Sequence, residues 1–307
     1  MTTAESDLMA PIEARRVESG LSWTRLTVGV IVAVWIAVVI VPVALLLPWS
    51  LMRVEQFRFA WSFSLDAYVQ MIDTGRVGVV LNTLRIALTV TAIALLVSLP
   101  VALWLAKSVR SNAFRVTMMA VLTIPFFVSL ASRTIVMRPV LGRTGPINAL
   151  LMQWGIIDAP IDGLLFSEFA VHLGLLAPAF PTMLLPIFAA VALVDDDFIE
   201  ASRDLGASPV RVFMDVILPL ALPGIVAGIV FTLVPMLGDT VVPQLLGGTN
   251  VAMLGTSMTG IVGNMNYAGG AALAVAVLVL LAILVLVMRL AQRRAGLDRG
   301  VFEGLRR

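Results

Sequence analysis

A short charged segment interrupts an otherwise oily chain: EASRDLGASPVRVFMDVILPLALPGI occupies residues 200–225, between two long apolar stretches. Three acids precede it at positions 195–197, and acids at a helix start are favoured by the positive end of the helix dipole. Gly206 is the usual residue for a left-handed helix cap, and Ser208 followed by Pro209 is typical of a helix start. The segment therefore predicts two short helices joined at a glycine.

Both short helices carry apolar residues at spacings that share one helix face. The residues at i, i+3 and i+7 are Phe198, Ala201 and Leu205 in the first helix, and Val210, Phe213 and Ile217 in the second. We expect one face to rest on the ends of membrane helices and the other to offer charge to a partner. Pro219 and Pro223 are expected to end the second helix. From these residues alone, an ordinary connector between two spans and a docking helix in a partner's groove remain equally open.

Composition indicates that lipid surrounds the rest of the chain. Of 307 residues, 60% are hydrophobic and 13% are charged, with a mean hydropathy of +1.01, whereas soluble domains are about half apolar and about a quarter charged. The net charge of +2 is too small to argue for nucleic acid. The absence of cysteine excludes disulfides, thiolate metal sites and a cysteine nucleophile.

About six apolar runs are long enough to cross a hydrocarbon layer of ~30 Å. The predicted spans are 26–49, 79–106, 116–137, 169–194, 220–237 and 270–290. The first is interpreted as an uncleaved spanning helix, since no A-x-A-like site follows it. Residues 153–165 are too short and too interrupted to span, so they predict an interfacial loop with a short helix.

Lysine and arginine are more frequent in the loops that an N-inside orientation places in the cytosol. The sequence therefore predicts cytosolic tails at 1–25 and 291–307, a transmembrane domain at 26–290, and a cytosolic loop at 195–219. Glycines four apart in the fifth span, Gly224 and Gly228, predict close helix packing.

The charged segment resembles the EAA loop of permease subunits in binding-protein-dependent ABC importers. The family pattern is EAA, then a glycine, then LP; here the matching positions are Glu200, Ala201, Gly206, Leu218 and Pro219, and Ser202 replaces the second alanine. The resemblance implies an all-α integral membrane protein of the bacterial inner membrane, with a type I ABC importer permease fold. It implies that the ATPase-coupling residues are Glu200, Ala201, Ser202, Asp204, Leu205, Gly206, Ala207, Pro209 and Phe213.

Four further stretches resemble the spermidine/putrescine branch of these permeases, in particular its first permease subunit. They are NTLRIAL (82–88), IPFFVSLASRT (124–134), LGRTGPINALL (141–151) and LGDTVVPQLLGG (237–248). The branch pattern R-T-Y-A-W is replaced by Arg133-Thr134-Ile135-Val136-Met137, which lacks the aromatic residues. A polyamine-like solute is expected, and a metal, an amino-acid derivative or an organophosphonate is the alternative.

The resemblance also implies partners: a second homologous permease, a cytosolic ATPase dimer and an extracytoplasmic substrate-binding protein. The chain has no glycine-rich P-loop around its only lysine, Lys107, so ATP hydrolysis is expected on another chain and no cofactor is expected here. A docking subunit for signalling and a secondary transporter are rival interpretations, but mid-span coupling carboxylates and inverted repeats, which a secondary transporter would need, are not evident.

The residues of a solute path are harder to predict. Asp239 follows the fifth span near the membrane edge, where an ionisable group is costly and often lines a path, although it could equally cap the loop that follows. Asn82, Arg133 and Thr134 are the other candidates. The lone histidine, His172, is expected to be a packed helix residue, since no other metal ligand is near it in sequence.

Overall fold

The structure is a computed structural model in which residues 6–55 and 58–294 are described. The predicted tails at 1–25 and 291–307 are only partly covered, and their arginine side chains at 15, 16 and 293–307 lie outside the described residues.

Twelve helices and one short hairpin make up the described chain. In order they are α1 (Ser6–Ser50), β1 (Met52–Glu55), β2 (Arg58–Phe63), α2 (Asp66–Asp73), α3 (Arg76–Leu103), α4 (Asn112–Phe127), α5 (Leu130–Leu141), α6 (Pro146–Gln153), α7 (Glu168–Ala192), α8 (Asp196–Asp204), α9 (Pro209–Val212), α10 (Leu218–Leu237), α11 (Leu254–Gly263) and α12 (Tyr267–Arg294). Three π-helical turns adjoin them, at Trp104–Ser108, Phe213–Ile217 and Pro243–Gly247.

Five of these helical segments are long and apolar enough to cross a membrane, and there are six if the bent pair Asn112–Phe127 and Leu130–Gln153 is counted as one span. The predicted spans one, two, four, five and six correspond to α1, α3, α7, α10 and α12. The third prediction, a single helix over 116–137, is wrong. Helix α4 ends at Phe127, Val128 is extended, and the segment Leu130–Gln153 continues at 87° to α4.

Two expectations about connecting segments also need correction. Residues 153–165 contain no spanning helix, as predicted, but the short helix α6 ends at Gln153 and so precedes them. Pro219 and Pro223 do not end the second short helix: α9 continues through the π-helical turn into α10. Pro219 closely follows the π-helical turn Phe213–Ile217, and local π-helical adjustments of this kind let a membrane helix accommodate a proline, which lacks the N–H. The hairpin, α2 and α11 were not predicted.

Helix α7 lies at the centre of the core, packed against α3 on one side and α10 on the other. The predicted close approach at α10 is confirmed. A side chain at Gly224 would collide with Ala190 and with the carbonyl of Pro186, and one at Gly228 would lie 3.0 Å from Sδ of Met183. Glycine thus lets α10 approach the proline-containing part of α7. In contrast, the apolar stretch of α1 that is long enough to span, within Arg25–Ser50, has no residue buried inside the chain. Lipid or a partner chain must therefore cover it.

Candidate coupling segment and solute path

The charged segment folds as two helices joined at a glycine, as its sequence predicts. Asp195 caps α8, since its side chain accepts the N–H of Asp197 at 3.2 Å. Gly206 has φ +84°, the left-handed conformation that L-residues with a side chain rarely adopt. Ser208 caps α9 by accepting the N–H of Arg211 at 3.4 Å, and Pro209 is its first residue.

The orientation of α8 is the reverse of the expected one. Ile199, on a neighbouring helix position, is buried with the apolar core, whereas Phe198 is 59% exposed and Leu205 is 89% exposed. The i, i+3, i+7 pattern overlooked Ile199, which alone of the α8 residues is buried against the ends of the spans. The apolar stripe Phe198–Ala201–Leu205 therefore faces outward, together with the charges.

Helix α9 adds to this outward surface. Val210 is 72% exposed, while Val212 and Ile217 are buried in the same core as Ile199. The shared face predicted for Val210, Phe213 and Ile217 is therefore split between solvent and core. We call the outward residues Phe198, Ala201, Leu205 and Val210 the exposed stripe. Large apolar side chains grouped at a helix surface are typical of a docking site for another protein.

Most of the predicted coupling residues are accessible to a partner. Those that are exposed are Glu200, Ala201, Asp204, Leu205, Gly206 and Pro209, and those that are half-buried are Ser202, Ala207 and Phe213. The sequence pattern placed Val210 on the face toward the spans, whereas the structure places it outward.

A cavity of about 380 Å³ lies between the α4–α5 break, α7 and α10. Its polar lining consists of Arg133, Thr182, Thr232, Asp239 and Thr240. Thr182 and Thr232 lie on facing helices, and their hydroxyl oxygens are 3.2 Å apart. Two of the four predicted path residues, Arg133 and Asp239, are thus brought into one cavity.

Asp239 both caps a turn and lines the cavity. One of its carboxylate oxygens, Oδ1, accepts the N–H groups of Val241 at 2.8 Å and Val242 at 3.3 Å. Burial raises the pKa of this carboxyl, and the two backbone hydrogen bonds partly oppose that shift. The other oxygen, Oδ2, has no hydrogen-bond partner among the described residues. Asp239 can therefore cap the loop and line the cavity at once, and its part in a solute path stays a prediction.

Arg133 is bound to the backbone of the broken span. Its Nη2 donates to the carbonyl oxygens of Pro125 and Val128, the latter at 2.7 Å. These carbonyls are at the C-terminal end of α4, where helical partners are missing. Its Nε and Nη1 are buried and have no partner among the described residues. The guanidinium therefore stabilises the break, which sequence patterns did not indicate.

The other two path candidates do not line this cavity. Asn82 donates to the carbonyl of Ala252 at 3.0 Å and accepts from Arg85, which also pairs with Glu168 at 2.6 Å. Thr134 is buried and donates to the carbonyl of Leu130 at 2.7 Å, within its own helix.

His172 also lies away from the cavity. Its Nδ1 is 2.8 Å from the carbonyl oxygen of Glu168, and its Nε2 is 3.1 Å from the hydroxyl of Thr89. Both ring nitrogens thus contact protein groups of α3 and α7. These contacts agree with the predicted role of a packed helix residue.

Comparisons with known proteins agree with this architecture. Residues 77–296 match the family model described as binding-protein-dependent transport system inner membrane component. The chain is 34% identical over 232 residues to the spermidine/putrescine transport system permease protein PotB of Haemophilus influenzae, covering 75% of this chain and 80% of that protein. It is 33% identical over 193 residues to PotB of Escherichia coli, covering 63% of this chain and 69% of that protein.

The fold has solved counterparts. A chain of a bacterial alginate ABC transporter, crystallised with an alginate pentasaccharide-bound periplasmic protein, superposes with a TM-score of 0.68 at 15% identity. The superposition covers 92% of this chain and 98% of that chain. The chain belongs to the family of binding-protein-dependent transport system inner membrane components and is a multi-pass permease of an ABC importer.

Proposed function

We propose that the chain forms half of the path of an ATP-driven importer for a polyamine-like solute. It would work with a second homologous permease, two copies of a cytosolic ATPase and an extracytoplasmic binding protein. The observation that carries the substrate proposal is the Asp239 carboxylate, which lines a cavity between spans with one oxygen unpaired among the described residues. The identity with two PotB permeases supports the same solute class.

The cavity suits an amine better than an anion. A carboxylate at the edge of a low-dielectric path attracts a cation more strongly than one in bulk water. The hydroxyls of Thr182, Thr232 and Thr240 can accept hydrogen bonds from ammonium groups. Arg133 would repel a cation, but its Nη2 is directed at two backbone carbonyls, and its Nε and Nη1 are buried. Its donors are therefore either bonded within the protein, as for Nη2, or too buried to contact a solute, as for Nε and Nη1.

Energy would reach the spans through α8 and α9. The apolar side chains of the exposed stripe would pack into a hydrophobic groove on an ATPase. The neighbouring charges of Glu200 and Asp204 would fix the orientation of that contact. ATP would close the ATPase dimer, move the docked helices, and open the spans outward to receive the solute. This scheme requires α8, and with it both termini, to face the cytosol, as the distribution of arginines favours.

The proposal is tested by transport in proteoliposomes that contain both permeases, the ATPase and the binding protein. We expect ATP-dependent uptake of labelled spermidine or putrescine. Asp239→Asn, which keeps size and removes charge, should weaken that uptake while assembly and basal ATP hydrolysis are retained. The matched control is Asp73→Asn, the same change at the exposed end of α2, outside the cavity.

Two results would contradict the proposal in different ways. Uptake of a neutral or anionic solute in place of a polyamine, unaffected by Asp239→Asn, would assign the permease to another solute. Assembly with an ATPase without uptake of any solute would favour a docking subunit that does not transport.

A further inference from the structure

Lys107 ties the inner end of one spanning helix to the start of α8. It is the only lysine of the chain and lies in the π-helical turn Trp104–Ser108 that ends α3. Its Nζ donates to the carbonyl oxygen of Val194 at 2.5 Å and to Oδ1 of Asp196 at 2.7 Å. Val194 follows α7 and Asp196 is the first residue of α8, so one ammonium group joins three helices.

The burial of this lysine distinguishes it from a simple membrane anchor. A lysine at the end of a span commonly extends toward the lipid headgroups and water. The Lys107 side chain is only 16% exposed, and its Nζ is bonded to protein oxygens instead. Beside it, Ala106, Val194 and Ile199 belong to one apolar cluster. The charged hydrogen bonds therefore lie over a packed joint, where they are stronger than in open water.

The arrangement has a mechanical consequence. Helix α8 is connected to α7 through three residues, 193–195, but it has no covalent connection to α3. We propose that Lys107 is a positioning residue that makes α3 move together with α7 when α8 is displaced. This inference rests on the proposed function, in which α8 is the element that the ATPase moves. Without the ammonium, α8 could turn at the 193–195 joint and leave α3 behind.

The test uses the complete complex in proteoliposomes, with uptake and ATP hydrolysis measured together. Lys107→Met keeps the length of the side chain and removes its donors. We expect basal hydrolysis and the amount of assembled complex to be retained, and uptake per ATP to fall by about fivefold or more, the lower end of usual coupling effects. Lys107→Arg should restore most of the uptake, because it retains a charged donor.

A matched pair of aspartates controls for charge. Asp196 is 74% exposed, so Asp196→Asn can weaken the link without disturbing the core, and it should lower uptake per ATP less than Lys107→Met does. Asp197→Asn makes the same change one residue later, where the structure has no ion pair with Lys107. We expect it to behave as the unmutated protein. A fall in uptake and hydrolysis in equal proportion for Lys107→Met would mean that the residue only stabilises the fold.

A second measurement reports the movement itself. Because the chain has no cysteine, this permease can be spin-labelled at Ser108→Cys and Arg203→Cys alone before it is combined with its partners. With Lys107 present, we expect one narrow distance distribution that is the same before and after ATP binding. With Lys107→Met, the distribution should broaden or shift on ATP binding. Identical distributions in both proteins would overturn the inference, whereas absence of ATP-dependent uptake in the unmutated complex would refute the proposed function instead.

Discussion

Replacing Gly206 by valine should stop uptake while leaving the protein in the membrane. The residue has φ +84°, and a Cβ built there would meet no heavy atom within 4 Å. The penalty of a side chain is therefore conformational rather than a collision. It is about 1–2 kcal/mol for an L-residue in the left-handed region, which lowers the ratio of the native turn to its alternatives about 5- to 30-fold. Valine, branched at Cβ, should be at the upper end of that range.

A series of substitutions separates this cause from others. Asparagine adopts the left-handed conformation more readily than alanine or valine, so uptake should follow the order Gly, Asn, Ala, Val. Uptake in vesicles is measured beside a pull-down of the ATPase, which should weaken in the same order. Normal uptake by Gly206→Val would refute the reasoning, and so would an asparagine variant as inactive as the valine one, because backbone conformation would then not decide the outcome.

Three other substitutions test the surface and the core. Glu200→Lys should weaken co-purification of the ATPase more at low salt than at moderate salt, since reversing a rim charge replaces attraction with repulsion; equal retention at both would mean that Glu200 faces no partner. Leu205→Ala should weaken the same co-purification at every salt concentration, because it removes apolar contact rather than charge, and a loss that salt abolishes would contradict this. Gly224→Ala should lower the melting temperature of the purified complex by several degrees through its collision with α7, whereas Gly29→Ala, at a position with open space, should not; an equal effect of both would contradict close packing.

Local sequence rules predicted the coupling segment well because its signals are local. Acids at a helix start, a left-handed glycine and a Ser-Pro helix start each act within one turn of the chain, and the acids at 195–197, Gly206 and Ser208 are found in those places. The direction in which α8 faces is different in kind. It depends on which of two adjacent apolar residues, Phe198 or Ile199, packs into the core, and in the structure Ile199 is the buried one. The packing of α8 against α9 and the π-helical turn Phe213–Ile217, which lie further along the chain, decides between them.

The lining of the candidate cavity was predictable only in part for the same reason. A carboxylate beside a span is unusual, so Asp239 could be predicted to lie near a path, and in the structure it lines a cavity. The threonines opposite it, Thr182 and Thr232, gave no signal, because hydroxyls are common in membrane helices and only the packing of α7 on α10 brings these two together. The role of Arg133 depends on a break that apolar length alone does not indicate.

That break also bears on how the protein is made. Helix α4 has 16 residues, about 24 Å at a rise of about 1.5 Å per residue, which is short of a hydrocarbon core of about 30 Å. A helix this short cannot complete a crossing alone as it leaves the insertion machinery, and the free carbonyls at its end cannot face lipid. The hydrogen bonds from Arg133 become available only after α5 has been synthesised. As one crossing, α4 should therefore be inserted together with α5 during biosynthesis, rather than as a helix that enters the bilayer by itself.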